Sequence, residues 1–313
     1  MVDTLILFSF FIGAGIAWRK FEPMNITADT LQSVLIALLY NFFLPLLVLS
    51  TMWKATLNTN SWRILLAMLV ASAAAIAIAW FYYKGRGRRL SGGDKGAYIL
   101  AAAFGSILII GMPITQDWVA PWTKRTAVFY EALILMPLLF TVGIMLAKQF
   151  AGVSRNASIG TEAIREPIII AAVLGLLLNL ANVNQPGFIS SWLNLSIKAI
   201  MPIGLLAVGA SLYWKSRWSS LLPDLLPVAI IQLIITPLLL WAMFHLFSVS
   251  GGQTFRSMIL QAAMPSMLLG FVICKRYRLD TTAYTAAFSL TVFLSLITIP
   301  AWLILMQKGL VTQ

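Results

Sequence analysis

Apolar residues dominate the chain in long blocks, and the blocks are separated by short polar or basic stretches. A helix that crosses a bilayer needs about 20 mostly apolar residues. Ten blocks reach or approach that length: 3–18, 29–53, 62–83, 95–118, 125–148, 165–183, 189–213, 222–247, 254–274 and 280–306. Trp18, Trp53, Trp62, Trp80, Trp118, Trp214 and Trp302 lie near block ends, where an amphipathic ring prefers to sit at headgroup level. The pattern predicts an all-α integral membrane fold of ten transmembrane helices.

Two blocks depart from a plain membrane helix. The fourth carries Gly105, Ser106, Gly111 and Pro113. The ninth carries Pro265 and Ser266 within ILQAAMPS, residues 259–266, against ILAAAFGS at 99–106, and five of those eight positions are identical. Each block is the second-to-last of a set of five. Helix-weakening residues at matching positions of two halves point to a transporter's binding site. Proline leaves a carbonyl without its donor, and glycine lets another backbone approach. A half-helix that restarts in the membrane aims free amides and its positive dipole end at an anion. The prolines at 45, 137, 237 and 300 are expected only to kink their helices.

Of the 22 Lys and Arg residues, fifteen fall on one set of alternating loops and the remaining seven on the other. The richer side reads as cytoplasmic, so both termini face outward. The connecting loop 151–163 divides the chain into residues 1–150 and 164–313, five spans each. Five is odd, so the second half enters from the opposite side, as in an inverted repeat. This alternation also gives the net charge of +12 a topological reading rather than a nucleic-acid one. A charged fraction of 10% against 60% hydrophobic residues lies far below the quarter usual in soluble domains. The first block lacks a basic region before it and a small-residue cleavage pattern, and reads as a retained span.

Few side chains in the spans carry chemistry. Glu131 stands in the fifth block; it binds a proton or sodium, or snorkels to the outer interface beside Lys124 and Arg125. Loss of transport and of its pH dependence in Glu131→Gln would mark the first role. Gln261, four residues before Pro265, shares its helix face and is a second coupling candidate. Asn41 precedes Pro45 by four and either lines a cavity or bonds a neighbouring helix. Lys198 is expected to snorkel at an outer end. A GxxxxGK[ST] loop, HExxH and GxSxG are absent from the sequence, so it offers no motif for ATP-driven pumping, zinc proteolysis or serine hydrolysis. One cysteine, Cys274, excludes an internal disulfide.

The chain resembles the auxin efflux carrier family. The motifs are Phe43-Leu-Pro45-Leu-Leu, Gly111-Met-Pro113, and Ala263-Met-Pro265-Ser followed by Cys274-Lys-Arg-Tyr277. The resemblance implies a fold like that of bile-acid sodium symporters, with broken spans four and nine crossing at mid-membrane. Spans one, two, six and seven would form a scaffold, often dimeric, and the others a moving domain. Many members carry proline and asparagine where this chain has Gly105 and Ser106, and plant members carry an Asp and a Lys in span three that this chain lacks.

The expectation is a bacterial inner-membrane secondary transporter of a small organic anion such as a carboxylate, working by alternating access. Its site would comprise Gly105, Ser106, Gly111, Pro113, Pro265, Ser266 and Asn41. No cofactor is expected; coupling to H+, to Na+ or to the membrane potential alone stays open. The alternatives are a sodium symporter of the bile-acid type and a membrane receptor that binds a small anion without moving it.

Overall fold

A computed structural model describes residues 2–55, 61–86, 89–152, 165–212, 218–249 and 252–307. The connecting segment beyond residue 152 and the loop residues Arg88, Arg155, Lys215, Arg217 and Lys308 lie outside the described residues.

The described residues are helical, without a strand. In chain order the helices are α1 (Val2–Phe21), α2 (Ala28–Trp53), α3 (Ser61–Lys84), α4 (Gly92–Ala103), α5 (107–118), α6 (Thr123–Ala151), α7 (Pro167–Leu180), α8 (Gly187–Lys198), α9 (Ile200–Ser211), α10 (218–246), α11 (Gln253–Ala262), α12 (Leu269–Arg276) and α13 (Thr281–Gln307). Six of the ten expected segments are long and apolar enough to cross a membrane: those carried by α2, α3, α6, α8 with α9, α10, and α13. The fourth and ninth segments are each split in two, as α4/α5 and α11/α12. The sixth is shorter than expected, with 14 helical residues in α7. The first is the 20-residue α1.

Prolines shape the long helices in a recurrent way. Pro45, Pro113, Pro137 and Pro237 each follow a wide, π-type turn by two residues; the turns are Leu39–Phe43, Ile107–Gly111, Tyr130–Leu135 and Ile231–Ile235. A proline donates no hydrogen bond to the carbonyl four residues back and pushes it aside, so the helix widens there. The carbonyl freed by Pro237 belongs to Leu233, and the Trp302 indole N–H fills it at 2.9 Å. Buried backbone in lipid must find such partners inside the protein. The expected kinks at Pro45, Pro137 and Pro237 are thus wide turns, whereas Pro300 lies inside the uninterrupted α13.

The helices pack in two groups. In the first, α1 lies on α9, α9 on the start of α2, and α7 on the end of α2. The backbones of α1 and α9 touch at Gly15 and Gly209, where a β-carbon on either would strike main-chain atoms of the other. Small residues allow this approach, and dispersion between the close backbones holds the pair. The Arg19 guanidinium on α1 donates to the Ala210 carbonyl at 2.7 and 2.9 Å. In the second group α4 is enclosed by α3, the end of α6 and α13, while α10 packs on α3, α11 and α13. The groups meet where the first turn of α5 touches α9 and where the end of α2 touches α6.

Candidate functional site

The site is built where the two split segments meet. Helix α4 begins with a capping box: Asp94 N–H donates to Ser91 Oγ at 3.1 Å, and Ser91 N–H donates to the Asp94 carboxylate at 3.0 Å. It stops at Ala103, and Phe104 turns extended at φ −127°, ψ 112°. Gly105 is needed for proximity: a β-carbon there would lie 2.7 Å from Gln232 Nε2 and 3.2 Å from the Met264 carbonyl oxygen. On the other side α11 stops at Ala262, and Pro265 in the link withholds the donor that would continue a helix.

The two links pair as a single antiparallel bridge between Gly105 and Ser266. Ser106 N–H donates to the Pro265 carbonyl at 2.7 Å, and Met267 N–H donates to the Phe104 carbonyl at 3.0 Å. Each broken helix therefore satisfies backbone groups freed by the other. Side chains complete the accounting. Gln232 Nε2 donates to the Met264 carbonyl at 2.9 Å. The Ser266 hydroxyl donates to the Ala101 carbonyl at 2.6 Å, while Thr291 Oγ1 accepts from Ser266 N–H at 3.2 Å. Tyr284 OH donates to the Met267 carbonyl at 2.6 Å.

Both restarting helices have their first amides covered. Glu131 is 2% exposed, and its Oε2 accepts from Leu108 N–H at 2.7 Å; the Ile107 amide faces the same carboxylate. An acid at a helix start answers both the unpaired amides and the dipole. The Tyr40 hydroxyl meets the Leu269 amide at the start of α12. Tyr40, Glu131 and Gln232 all stand on wide turns that precede a proline, so the widening aims polar groups at the breaks.

The predicted site residues divide as follows. Gly105, Ser106, Pro265 and Ser266 come together in the paired links. Gly111 N–H donates to the Ser106 carbonyl at 3.1 Å, and a β-carbon on Gly111 would sit 2.8 Å from Met264 Cγ. Pro113 is buried further along α5 and lines a cleft on the side away from the links. Asn41 is exposed and donates from Nδ2 to the Ala37 carbonyl of its own helix at 2.8 Å; it joins neither a neighbouring helix nor the links. Glu131, on α6, is buried against the first turn of α5 rather than snorkelling outward. Gln261 Nε2 lies 3.0–3.5 Å from Ser257 Oγ, Thr126 Oγ1, the Thr123 carbonyl and Thr115 Oγ1, a polar knot that ties α5, α6 and α11.

Ser106 Oγ, Gln232 Oε1 and Gln261 Oε1 are among the buried oxygens that have no hydrogen-bond partner within the described residues. The two glutamines border one small cavity together with Gly105, Ser72 and Tyr130. A cation seeks clustered oxygen donors with negative charge; among the described residues no group of three His, Cys, Asp or Glu side chains is placed to hold a metal. Sequence reasoning missed Gln232, Tyr40, Tyr284 and Thr291. Gln232 and Tyr40 leave one visible trace: each is a polar residue five positions ahead of a proline in an apolar run.

The chain is 25% identical over 276 residues to an uncharacterized transporter of Methanothermobacter thermautotrophicus, covering 88% of each chain. It is 26% identical over 180 residues, 55% of each chain, to the uncharacterized transporter YfdV of Escherichia coli K12 and to its counterpart in Shigella flexneri. A family profile described as membrane transport protein matches residues 16–303. The chain therefore belongs to the membrane transport protein family, that of the auxin efflux carriers, and is a multi-pass membrane protein.

Proposed function

We propose that the chain is a secondary transporter of a small organic anion, a carboxylate in the first instance, working by alternating access in a bacterial inner membrane with both termini outside. In this reading the ten segments span the bilayer as two inverted sets of five, and the paired links are the crossover of the fourth and ninth. The observation that carries the proposal is the double backbone pairing, Ser106 to Pro265 and Met267 to Phe104. Non-helical backbone at membrane depth is tolerated where protein or a watered cavity satisfies it, and transporters place their sites at such interruptions.

The first helix group would be the static frame, available for dimerisation, and the second the moving part. Glu131 and Tyr40 keep the two half-helices in place by holding their first amides. The unpartnered Ser106 hydroxyl is the polar group at the links left free to meet a solute. The test is counterflow of labelled carboxylates into proteoliposomes of the purified chain, with and without sodium and at two pH values. Saturable accumulation above protein-free vesicles supports the reading. A strict sodium requirement would favour the sodium symporter instead, and tight binding with no flux would favour a receptor.

A further inference from the structure

Beside the paired links, α3, α6, α10 and α11 enclose a small cavity whose polar lining includes Ser72, Tyr130, Gln232 and Gln261. Every residue that lines it is buried. The cavity leaves about 10 Å³ for the centre of a water-sized particle, which is the room that one water molecule needs.

The orientation of both amides is fixed by what they donate to. Gln232 Nε2 donates to the Met264 carbonyl at 2.9 Å, and Gln261 Nε2 to the Thr123 carbonyl at 3.3 Å. A carbonyl cannot donate, so turning either amide over would set oxygen against oxygen. The oxygens are what each side chain has left for the cavity. Neither Gln232 Oε1 nor Gln261 Oε1 has a hydrogen-bond partner within the described residues, and two acceptors cannot satisfy each other. The other two polar groups are hydroxyls: Ser72 Oγ and Tyr130 OH lie 3.3 Å apart. One proton serves the contact between them, and the second is left for another acceptor.

The cavity thus presents two acceptors that need donors and one donor that needs an acceptor. We infer that it is the site of one water molecule, which donates to Gln232 Oε1 and Gln261 Oε1 and accepts from the Ser72–Tyr130 pair. Three partners is the usual number for a buried water. Ammonium carries donors only and leaves the hydroxyl proton unanswered. A sodium ion stripped of water needs charge to face it, and no carboxylate lines the cavity. Gln232 holds the link between α11 and α12 at Met264, so the water extends that support to Ser72 on α3 and Tyr130 on α6. The inference stands whether or not the chain moves a solute.

The test is a cryo-EM or crystal map of the full chain that resolves ordered water, collected once in sodium chloride and once in choline chloride. One peak should stand about 2.7–3.2 Å from both glutamine oxygens and from one hydroxyl, in both salts. No peak, in a map that shows other buried waters, overturns the site; so does a peak seen only with sodium. Thermal unfolding of two variants gives a second readout. Ser72→Ala leaves the room and the Tyr130 hydroxyl, so the water stays. Ser72→Val fills the room, expels the water and leaves both glutamine oxygens without a donor. The unfolding temperature should fall a little in Ser72→Ala and by several degrees more in Ser72→Val. Ser72→Val at or above Ser72→Ala overturns the site, because added methyl groups stabilise a dry void. Ser72→Thr, which adds one methyl group and keeps the hydroxyl, takes the place of Ser72→Val if that variant fails to fold, with the same order expected.

Discussion

Glu131 Oε2 and the Leu108 amide nitrogen are 2.7 Å apart, joining the wide turn of α6 to the first turn of α5. The contact spends the amides that a restarted half-helix would offer to an anion on a side chain of the protein itself. Glu131→Ala leaves two buried amides unanswered, at about 1–3 kcal/mol for an unsatisfied group. Glu131→Gln keeps an acceptor and should lose less. Thermal unfolding in detergent should rank wild type above Glu131→Gln above Glu131→Ala; equal stability of all three would show that the contact does not hold α5.

Gly105 is required by its neighbours. Gly105→Val would push side-chain carbon into Gln232 and the Met264 carbonyl, and overpacking of this kind costs about 1–3 kcal/mol. Shortening the neighbour in the double variant Gly105→Val/Gln232→Ser should recover part of that loss. A coupling energy near zero in this double-mutant cycle would mean that the two residues do not meet.

How much of this was legible beforehand depends on which physical signal each feature leaves in a single chain. Pro265 withholds a donor wherever it sits, so the interruption of the ninth segment shows in the sequence. Gly105 and Ser106 were readable by their match to Pro265 and Ser266. The partner of Glu131 was not, because Leu108 lies 23 residues away and only tertiary packing brings them together. Gln232 could have been a packed amide or a site residue, and nothing local separates the two. Lys198 was expected at an outer end of its span; it closes α8 and lines a cleft with Lys124, the second residue of α6. Asn41 was judged by its spacing from Pro45, but its amide turned back to its own helix.

The contact of α1 with α9 gives a prediction independent of the links. Gly209→Leu would force the backbones apart at Gly15 and remove close packing that holds helices together in lipid. A loss of several kcal/mol, or failure to fold, is expected. Unchanged thermal stability would contradict the packing of this group.

Solvent access offers a further check. Cys274 is fully buried, so the wild-type chain should resist thiol reagents in the native state. Lys198→Cys, in a cleft that Lys124 and Asn194 also line, should label with a membrane-impermeant methanethiosulfonate added to intact cells or spheroplasts. Labelling of the wild type, or none of the variant from either side of the membrane, would argue against an open cleft at Lys198.

The pairing of the two interruptions bears the most weight, and a cryo-EM map of the chain in lipid nanodiscs addresses it directly. Density should leave helical geometry at 104–106 and again at 263–268, with the Ser106 amide against the Pro265 carbonyl and the Met267 amide against that of Phe104. Two helices running unbroken through those residues, or two breaks lying apart, would contradict the account.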